Sequence, residues 1–141
     1  MIQRITPRSF KAYGSIIDHP LKDDYRGKKN LFRIVLCEKK RCGWRIAYLV
    51  VRDKEIACLE QHPGTFESFE PVQGRSLLYL ATSRDPLKIT CFYLDKPVIL
   101  KKNIWHGLVV VGQKAEIKIT ENAWVKTVHW KLGFKLSRRP K

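Results

Sequence analysis

The chain has 141 residues, of which 44% are hydrophobic and 29% are charged. This length and apolar content fit a single domain spanning residues 1–141 and exclude a disordered chain. No apolar run approaches the ~20 residues that a membrane helix needs. The N-terminal residues 1–10 lack the apolar segment of a signal peptide. We therefore expect a cytoplasmic protein that does not enter a membrane.

Charge is the most unusual bulk property, because 28 Lys and Arg residues against 13 Asp and Glu residues give a net charge of +15. Such an excess attracts nucleic acids and small anions, but dispersed lysines also serve simply as a solubilising surface, which we favour. The basic C-terminal tail, residues 126–141, has six basic residues, no acid and interleaved aromatic residues. It is the best nucleic-acid candidate. It could equally be a last strand that packs Trp130 and Phe134 inward.

The first predicted element is a short N-terminal helix. Thr6 is a suitable N-cap, Pro7 suits the first helical turn, and Gly14 is expected to stop the helix. The charged and turn-rich residues 18–30 are predicted to form a loop.

Strands are predicted for the rest of the chain. Short segments rich in β-branched and aromatic residues are separated by turn sequences; they are residues 31–37, 44–51, 55–60, 66–72, 76–82, 87–94, 105–112, 115–120 and 124–132. Their spacing is typical of an all-β sandwich or barrel. The sequence shows neither an internal repeat nor a second domain.

The chain contains four cysteines: Cys37, Cys42, Cys58 and Cys91. In a cytosolic protein they are expected to be thiols. Cys37 and Cys42 bracket a predicted hairpin turn and could face each other. A zinc site would need a second close pair, which Cys58 and Cys91 do not form. We therefore rank buried thiols first, a redox-active hairpin second and a zinc–thiolate site third.

Residue types that bind metals are concentrated in the middle of the chain. Residues two apart on a strand point to one face, so Glu60 and His62 should share a face before the Pro63–Gly64 turn. We predict that Glu67 opposes them across the resulting hairpin. His106, at the start of a later strand, is the natural further ligand. Carboxylate and imidazole donors suit divalent Ni, Mn, Fe or Zn.

Each of these residues also has a purely structural interpretation. His62 could cap its own turn, Glu67 could face solvent, and His106 could be an ordinary residue at the mouth of a barrel. Glu60 is harder to explain in this way, because it follows an apolar run and a buried carboxylate needs a partner. His129 is expected to lie on the surface.

The spacing of these residues resembles the cupin motifs. The first cupin motif has His-x-His, then a Glu, then a Gly; its positions are occupied here by Glu60, His62, Glu67 and Gly74. The second motif is Pro-x-Gly-x2-His. Asn103 stands at its Gly, three residues before His106, and Lys101 replaces its Pro. Because Asn tolerates positive φ better than other non-Gly residues, Asn103 keeps the turn chemistry.

A closer resemblance is to the ureidoglycolate lyase family, itself cupin-like. Three segments carry it in the family's order: TPRSFKAYGSII at 6–17, LEQHPGTFESFEPV at 59–72 and NIWHG at 103–107. The resemblance spans roughly residues 1–120. The sequence departs from the family pattern at Glu67, where the family has Gln, and at Gly107, where the family has a second His.

The resemblance implies a cupin-like double-stranded β-helix or barrel with a short N-terminal helix, often dimeric. It implies an amidine-lyase activity of purine catabolism that splits ureidoglycolate into glyoxylate and urea, with a divalent metal such as nickel. The expected metal ligands are His62, His106, Glu60 and Glu67.

Within such a site, Glu67 or Glu60 would act as the general base. Lys102 and Trp105 are the candidate substrate-binding residues for a small anionic substrate. Two alternatives stay open: a non-catalytic cupin that binds or senses a small molecule, and nucleic-acid binding through the basic tail.

Overall fold

The computed structural model describes residues 1–19 and 30–139. Helix α1 spans Pro7–Phe10. The strands are β1 (Ile2–Arg4), β2 (Gly14–Ile16), β3 (Trp44–Val51), β4 (Glu55–Gln61), β5 (Glu67–Gln73), β6 (Ser76–Thr82), β7 (Asp85–Tyr93), β8 (Val98–Leu100), β9 (Ile104–Val110), β10 (Ala115–Asn122) and β11 (Val128–Ser137). Within these ranges no helix is long and apolar enough to span a bilayer.

The strands form two sheets, with the orders β1-β7-β6-β9-β4-β11 and β2-β8-β5-β10-β3. All neighbours are antiparallel except the parallel pair β1 and β7. From β3 to β10 the chain alternates between the sheets, except at the β6–β7 hairpin. The resulting sets β3-β10-β5-β8 and β4-β9-β6-β7 have the strand order of a jelly roll. The predicted all-β, cupin-like double-stranded β-helix is confirmed.

The main core lies between the two sheets. Leu78 and Leu80 of β6 meet Phe69 of β5 and Ile117 of β10 in one buried cluster. Successive side chains of a strand point to opposite faces. The intervening residues of β6 therefore join a second buried cluster that includes Leu132 of β11. The last strand thus covers the outer face of the first sheet.

The predicted start of the helix is confirmed, and its predicted end is wrong. The Thr6 hydroxyl accepts a hydrogen bond from the Ser9 amide, and the Ser9 hydroxyl accepts one from the Thr6 amide, which caps the helix. The helix ends at Phe10, and Gly14 instead begins β2. A Cβ at Gly14 would lie 1.9 Å from the carbonyl oxygen of Ile99, so glycine permits β2 to approach β8.

Seven of the predicted strands are present within a few residues of their predicted ends: β3, β4, β5, β6, β7, β9 and β10. Residues 31–37, however, form no strand in the structure, because no described strand pairs with their backbone. The final strand starts at Val128 rather than at residue 124. The short strands β1, β2 and β8 were not predicted. Most of the predicted loop 18–30 lies outside the described residues, since 20–29 are not described.

The ranking of the cysteines needs correction. All four are free thiols, but Cys91 alone among them is buried, and Cys37 is exposed. The proposed redox hairpin is wrong, because residues 37–42 do not connect two paired strands. The Cys42 thiol instead donates to Asn122 Oδ1 at 3.4 Å.

The described part of the basic tail is mainly strand β11, which pairs with β4. Trp130 is partly buried, and its ring centroid lies 5.6 Å from that of Trp105. Phe134 is 54% exposed, so the expectation that it packs inward is wrong. Lys135 forms an ion pair with Glu55. Nucleic-acid binding by the tail stays a prediction.

Candidate metal centre

The four side chains predicted as metal ligands lie close together. Glu60, near the end of β4, is directly paired with His106 of β9, and His62 follows β4 immediately. Glu67 is the first residue of β5 in the opposite sheet. His106 Nε2 lies 3.1 Å from Glu67 Oε2 and 3.6 Å from Glu60 Oε1. His62 Nε2 lies 3.3 Å from Glu67 Oε2.

The route by which Glu67 reaches this cluster differs from the prediction. Strand β4 pairs with β9 and β11, and β5 pairs with β8 and β10, so Pro63–Gly64 does not close a hairpin. The connection instead crosses from one sheet to the other, and the inner faces of the two sheets pack against each other. Glu67 therefore meets His62 across the interior.

The imidazoles are oriented by hydrogen bonds on their far sides. His106 Nδ1 lies 3.0 Å from the carbonyl oxygen of Ile104, and His62 Nδ1 lies 3.2 Å from that of Lys126. A carbonyl oxygen can only accept, so each Nδ1 donates and each Nε2 is directed toward the carboxylates. Metal-binding histidines are held in the same way in known sites.

The contacts within the cluster have a spacing compatible with a shared ion as well as with direct ion pairs. Glu67 Oε2 and His106 Nε2 are fully buried and lie 3.1 Å apart, yet neither makes a hydrogen bond with any described group. Their alignment is therefore too poor for a hydrogen bond. Nitrogen and oxygen ligands about 2.1 Å from one zinc ion lie about 3.0–3.5 Å apart. Two overlapping sets of these side chains could hold a metal ion: Glu60 with His62 and His106, and His62 with Glu67 and Glu121.

A turn residue before β9 helps to position the histidines. Asn103 has a φ of 64°, which confirms the prediction that it occupies a turn position in the left-handed region; Gly74 also has a positive φ, of 76°. The Asn103 amide donates to the carbonyl oxygen of His62 at 3.1 Å. The turn before β9 is thereby tied to the segment that carries His62.

The cluster is electrostatically coupled. Burial disfavours the charged form of Glu67, but His106 and His62 outweigh it and lower the Glu67 pKa from 4.5 to about 2. Burial also opposes a charged His106, yet Glu60 and Glu67 raise its pKa well above the ordinary value. Burial lowers the pKa of His62 as well, but Glu67 outweighs this effect, so the His62 pKa is also raised. Without a metal, protons on the imidazoles supply the positive charge that the carboxylates require. Metal binding has to displace those protons.

Glu121 is a buried acidic residue that the sequence prediction missed. It lies on β10, is 8% exposed, and its carboxylate oxygen lies within 4.8 Å of a ring nitrogen of His62 and a carboxylate oxygen of Glu67. Glu121 Oε1 accepts hydrogen bonds from the Arg45 guanidinium, while Oε2 is buried without a partner. The alternation of buried residues along β10 extends to Glu121, which is the signal that could have identified it.

His129 was predicted to lie on the surface, and its side chain is 63% exposed. Its Nε2 nevertheless lies 3.7 Å from Glu60 Oε2. A cavity of about 400 Å³ opens beside the cluster, and Glu60, Glu67, His106 and His129 form part of its lining. His129 is therefore both exposed to solvent and part of the cavity lining beside Glu60.

The structure does not bring the two predicted substrate-binding residues into this cavity. Lys102 Nζ forms an ion pair with Glu38 Oε2 at 2.7 Å and lies over the Phe66 ring. Trp105 precedes His106 on β9, so its ring lies on the opposite face of the sheet, against Trp130.

Comparisons with known proteins place the chain in no family. No family model matches the chain, and no curated protein matches it. Among solved structures, the chain is similar to a dTDP sugar isomerase from Desulfovibrio desulfuricans G20, with 15% identity and a TM-score of 0.46. The match covers 77% of this chain and 71% of the isomerase. A likeness of this degree says nothing about activity, so the resemblance to ureidoglycolate lyases stays a prediction.

We expect the Glu67→Gln substitution to reduce the stability of the metal-free protein. It should also make the free energy of unfolding less dependent on pH in the acid range. The Glu67 pKa is lowered from 4.5 to about 2, so its contribution is complete above pH 4.5 and lost as the pH falls through 2. This contribution is on the order of 3 kcal/mol. Thermal unfolding followed by circular dichroism across this pH window measures the effect.

The matched control for this prediction is Glu70→Gln, on the same strand, where the carboxylate pairs with Lys118 at 3.1 Å. It should keep the acid dependence of the parent. Parallel pH profiles for the parent and Glu67→Gln would contradict the assigned contribution of Glu67.

Proposed function

We propose that the protein is a metal-dependent, cupin-type lyase that cleaves ureidoglycolate, or a closely related hydroxy-acid, into glyoxylate and urea or an amide. The convergence of His62 Nε2, His106 Nε2 and the Glu67 carboxylate in a buried position beside a cavity carries the proposal. The resemblance of three sequence segments to ureidoglycolate lyases supports the choice of substrate.

His62, His106 and Glu67 are assigned to hold the ion, because they are the three most buried donors, at 7%, 3% and 6% exposure. Their imidazole and carboxylate groups suit Ni, Mn, Fe or Zn. A divalent ion bound there supplies Lewis-acid polarisation of the substrate hydroxyl and carboxylate. The Nδ1 hydrogen bonds of both histidines keep their Nε2 atoms available for this role.

Glu60 is assigned as the general base. Its side chain is 43% exposed and borders the cavity, whereas Glu67 lies between two imidazoles. Its contact with His106 lowers the Glu60 pKa, which keeps the carboxylate ionised but also makes it a weaker base. Glu60 takes the hydroxyl proton of the substrate, the carbonyl of glyoxylate forms, and the C–N bond breaks.

His129 completes the proton path. The electron pair of the broken C–N bond stays on nitrogen, so the departing urea needs one proton. His129 Nε2, 3.7 Å from Glu60 Oε2, is placed to pass the abstracted proton from Glu60 to that nitrogen. The net charge of +15 favours the approach of an anionic substrate.

The metal assignment predicts that protein loaded with Ni²⁺ or Mn²⁺ and then dialysed retains near-stoichiometric ion. The His62→Ala/His106→Ala double variant should lose it, because two of three buried ligands are removed. Elemental analysis by mass spectrometry measures the content. His129→Ala, which removes an exposed histidine near the same site, should retain the ion. A parent protein that binds no divalent ion would refute the proposed function.

The general-base assignment predicts that Glu60→Gln lowers kcat for ureidoglycolate cleavage by about 10²–10⁴-fold without loss of the bound ion. Release of glyoxylate measures turnover. Glu55→Gln, on the same strand but paired with Lys135, is the matched control and should leave kcat unchanged. Metal-dependent binding of substrates without turnover by the parent would instead identify a binding or sensing cupin.

A further inference from the structure

The cavity beside the candidate centre is larger and more apolar than a small polar acid requires. Its volume of about 400 Å³ falls within the range used for much larger ligands. Most of the wall is hydrocarbon, contributed by Leu49, Val51, Ile56, Phe69, Leu108 and Ile119. Val51, Phe69 and Ile119 are also buried in the protein, so this part of the wall is built into the core.

The polar groups are a minority of the cavity lining. They are the cluster itself, His129, the thiol of Cys58, and the exposed Arg52 and Asp53. A ureido group has several N–H donors, and a hydrocarbon wall offers them no acceptor. Burying such donors without partners is costly. A hydrocarbon group in the same place gains about fourfold in affinity for each buried methylene.

The charge of the lining disfavours a substrate with several anionic groups. Glu60 and Glu67 already place two carboxylates there, and Arg52 is the one Lys or Arg residue in the lining.

From these observations we infer that the preferred substrate is an N-acyl-α-hydroxyglycine with an apolar acyl group. This inference rests on the proposed function and names its leaving group. The hydroxy-acid end would reach the cluster, and the acyl chain would lie against Phe69, Leu108 and Ile119. Loss of the hydroxyl proton and cleavage of the C–N bond give glyoxylate, and protonation of the nitrogen gives the primary amide. Atoms and electrons balance without an oxidant.

The test compares α-hydroxyhippurate, whose acyl group is benzoyl, with ureidoglycolate on the metal-loaded parent protein. Both substrates release glyoxylate, so one assay serves both. We expect kcat/KM for α-hydroxyhippurate to be at least tenfold higher. Higher kcat/KM for ureidoglycolate would overturn this inference and leave the proposed function standing. Release of glyoxylate from neither substrate would overturn both.

A pair of variants tests whether the apolar cavity wall determines the preference between the two substrates. Ile119→Thr places a hydroxyl in the cavity wall and should lower the ratio of kcat/KM for the two substrates several-fold. Ile117→Thr makes the same change two residues away on β10, in the core outside the cavity lining, and should leave the ratio unchanged. Equal ratios in the parent and Ile119→Thr would contradict contact between the acyl group and this wall.

A second, independent observation concerns strand β3, which is an edge strand. It pairs with β10 on one side, and no strand in the described residues pairs with its other side. Trp44, Ile46, Tyr48 and Val50 point to one face and are 71%, 58%, 57% and 42% exposed. Edge strands are usually protected by lysine, proline or a bulge, and β3 has none of these.

The exposed face of β3 is complementary to itself. In an antiparallel pair about a two-fold axis at Ala47, Trp44 would lie opposite Val50 of the second copy, and Ile46 opposite Tyr48. The one charged residue within β3, Arg45, is already paired with Glu121 at 2.8 Å. The net charge of +15 makes two chains repel each other in general. The β3 edge adds no unpaired charge to this repulsion, because Arg45 is paired with Glu121.

The geometry points to a homodimer in which β3 of each chain extends the five-stranded sheet of the other. Light scattering after size exclusion should give twice the chain mass of 16.5 kDa. Ile46→Lys should give the mass of one chain. Val72→Lys, similarly exposed at 56% in the same sheet but on the interior strand β5, should remain dimeric. A monomeric parent, or an unchanged dimer in Ile46→Lys, would overturn this assignment.

Discussion

The buried contact between Glu67 and the imidazoles of His62 and His106 is the constraint on which the rest of the structure depends. Its members come from opposite sheets, so the sheets must pack with this one contact in register. A buried carboxylate without a compensating charge would be strongly destabilising. The pairing of Glu60 with His106, the crossing of Pro63–Gly64 and the left-handed turn before β9 all serve to bring the charges together.

Local sequence patterns were sufficient to predict most of the strands. Alternation of apolar and polar residues is a property of neighbouring positions, and β10 shows it from Ala115 to Thr120. Turn chemistry is equally local, which explains the success at Asn103. Pairing between strands is not local. Residues 31–37 have strand-like composition but find no described partner, and β4 and β5 look like a hairpin although they belong to different sheets.

The candidate site was predictable to the same extent. Glu60, His62 and Glu67 are close in the chain, and a known motif spacing relates them to His106. Two more groups of the site come from strands far along the chain. Glu121 and His129 reach it only because β10 and β11 pair with β5 and β4, which no short sequence pattern specifies.

Trp105 was predicted to bind substrate, and the structure places it outside the cavity lining. Adjacent residues of a strand face opposite sides, so the neighbour of an inward-facing histidine is directed away from the cavity. The ammonium group of Lys102 forms an ion pair with Glu38. Substrate binding by Trp105 and Lys102 stays a prediction.

The placement of the donors on both sheets has a consequence for the effect of a bound ion on the fold. Glu60, His62 and His106 belong to one sheet and its adjoining turn, and Glu67 belongs to the other. An ion bound by these donors would link the two sheets, so its binding would also add to the stability of the fold. Of the four donors, Glu60 has the most exposed side chain, at 43%.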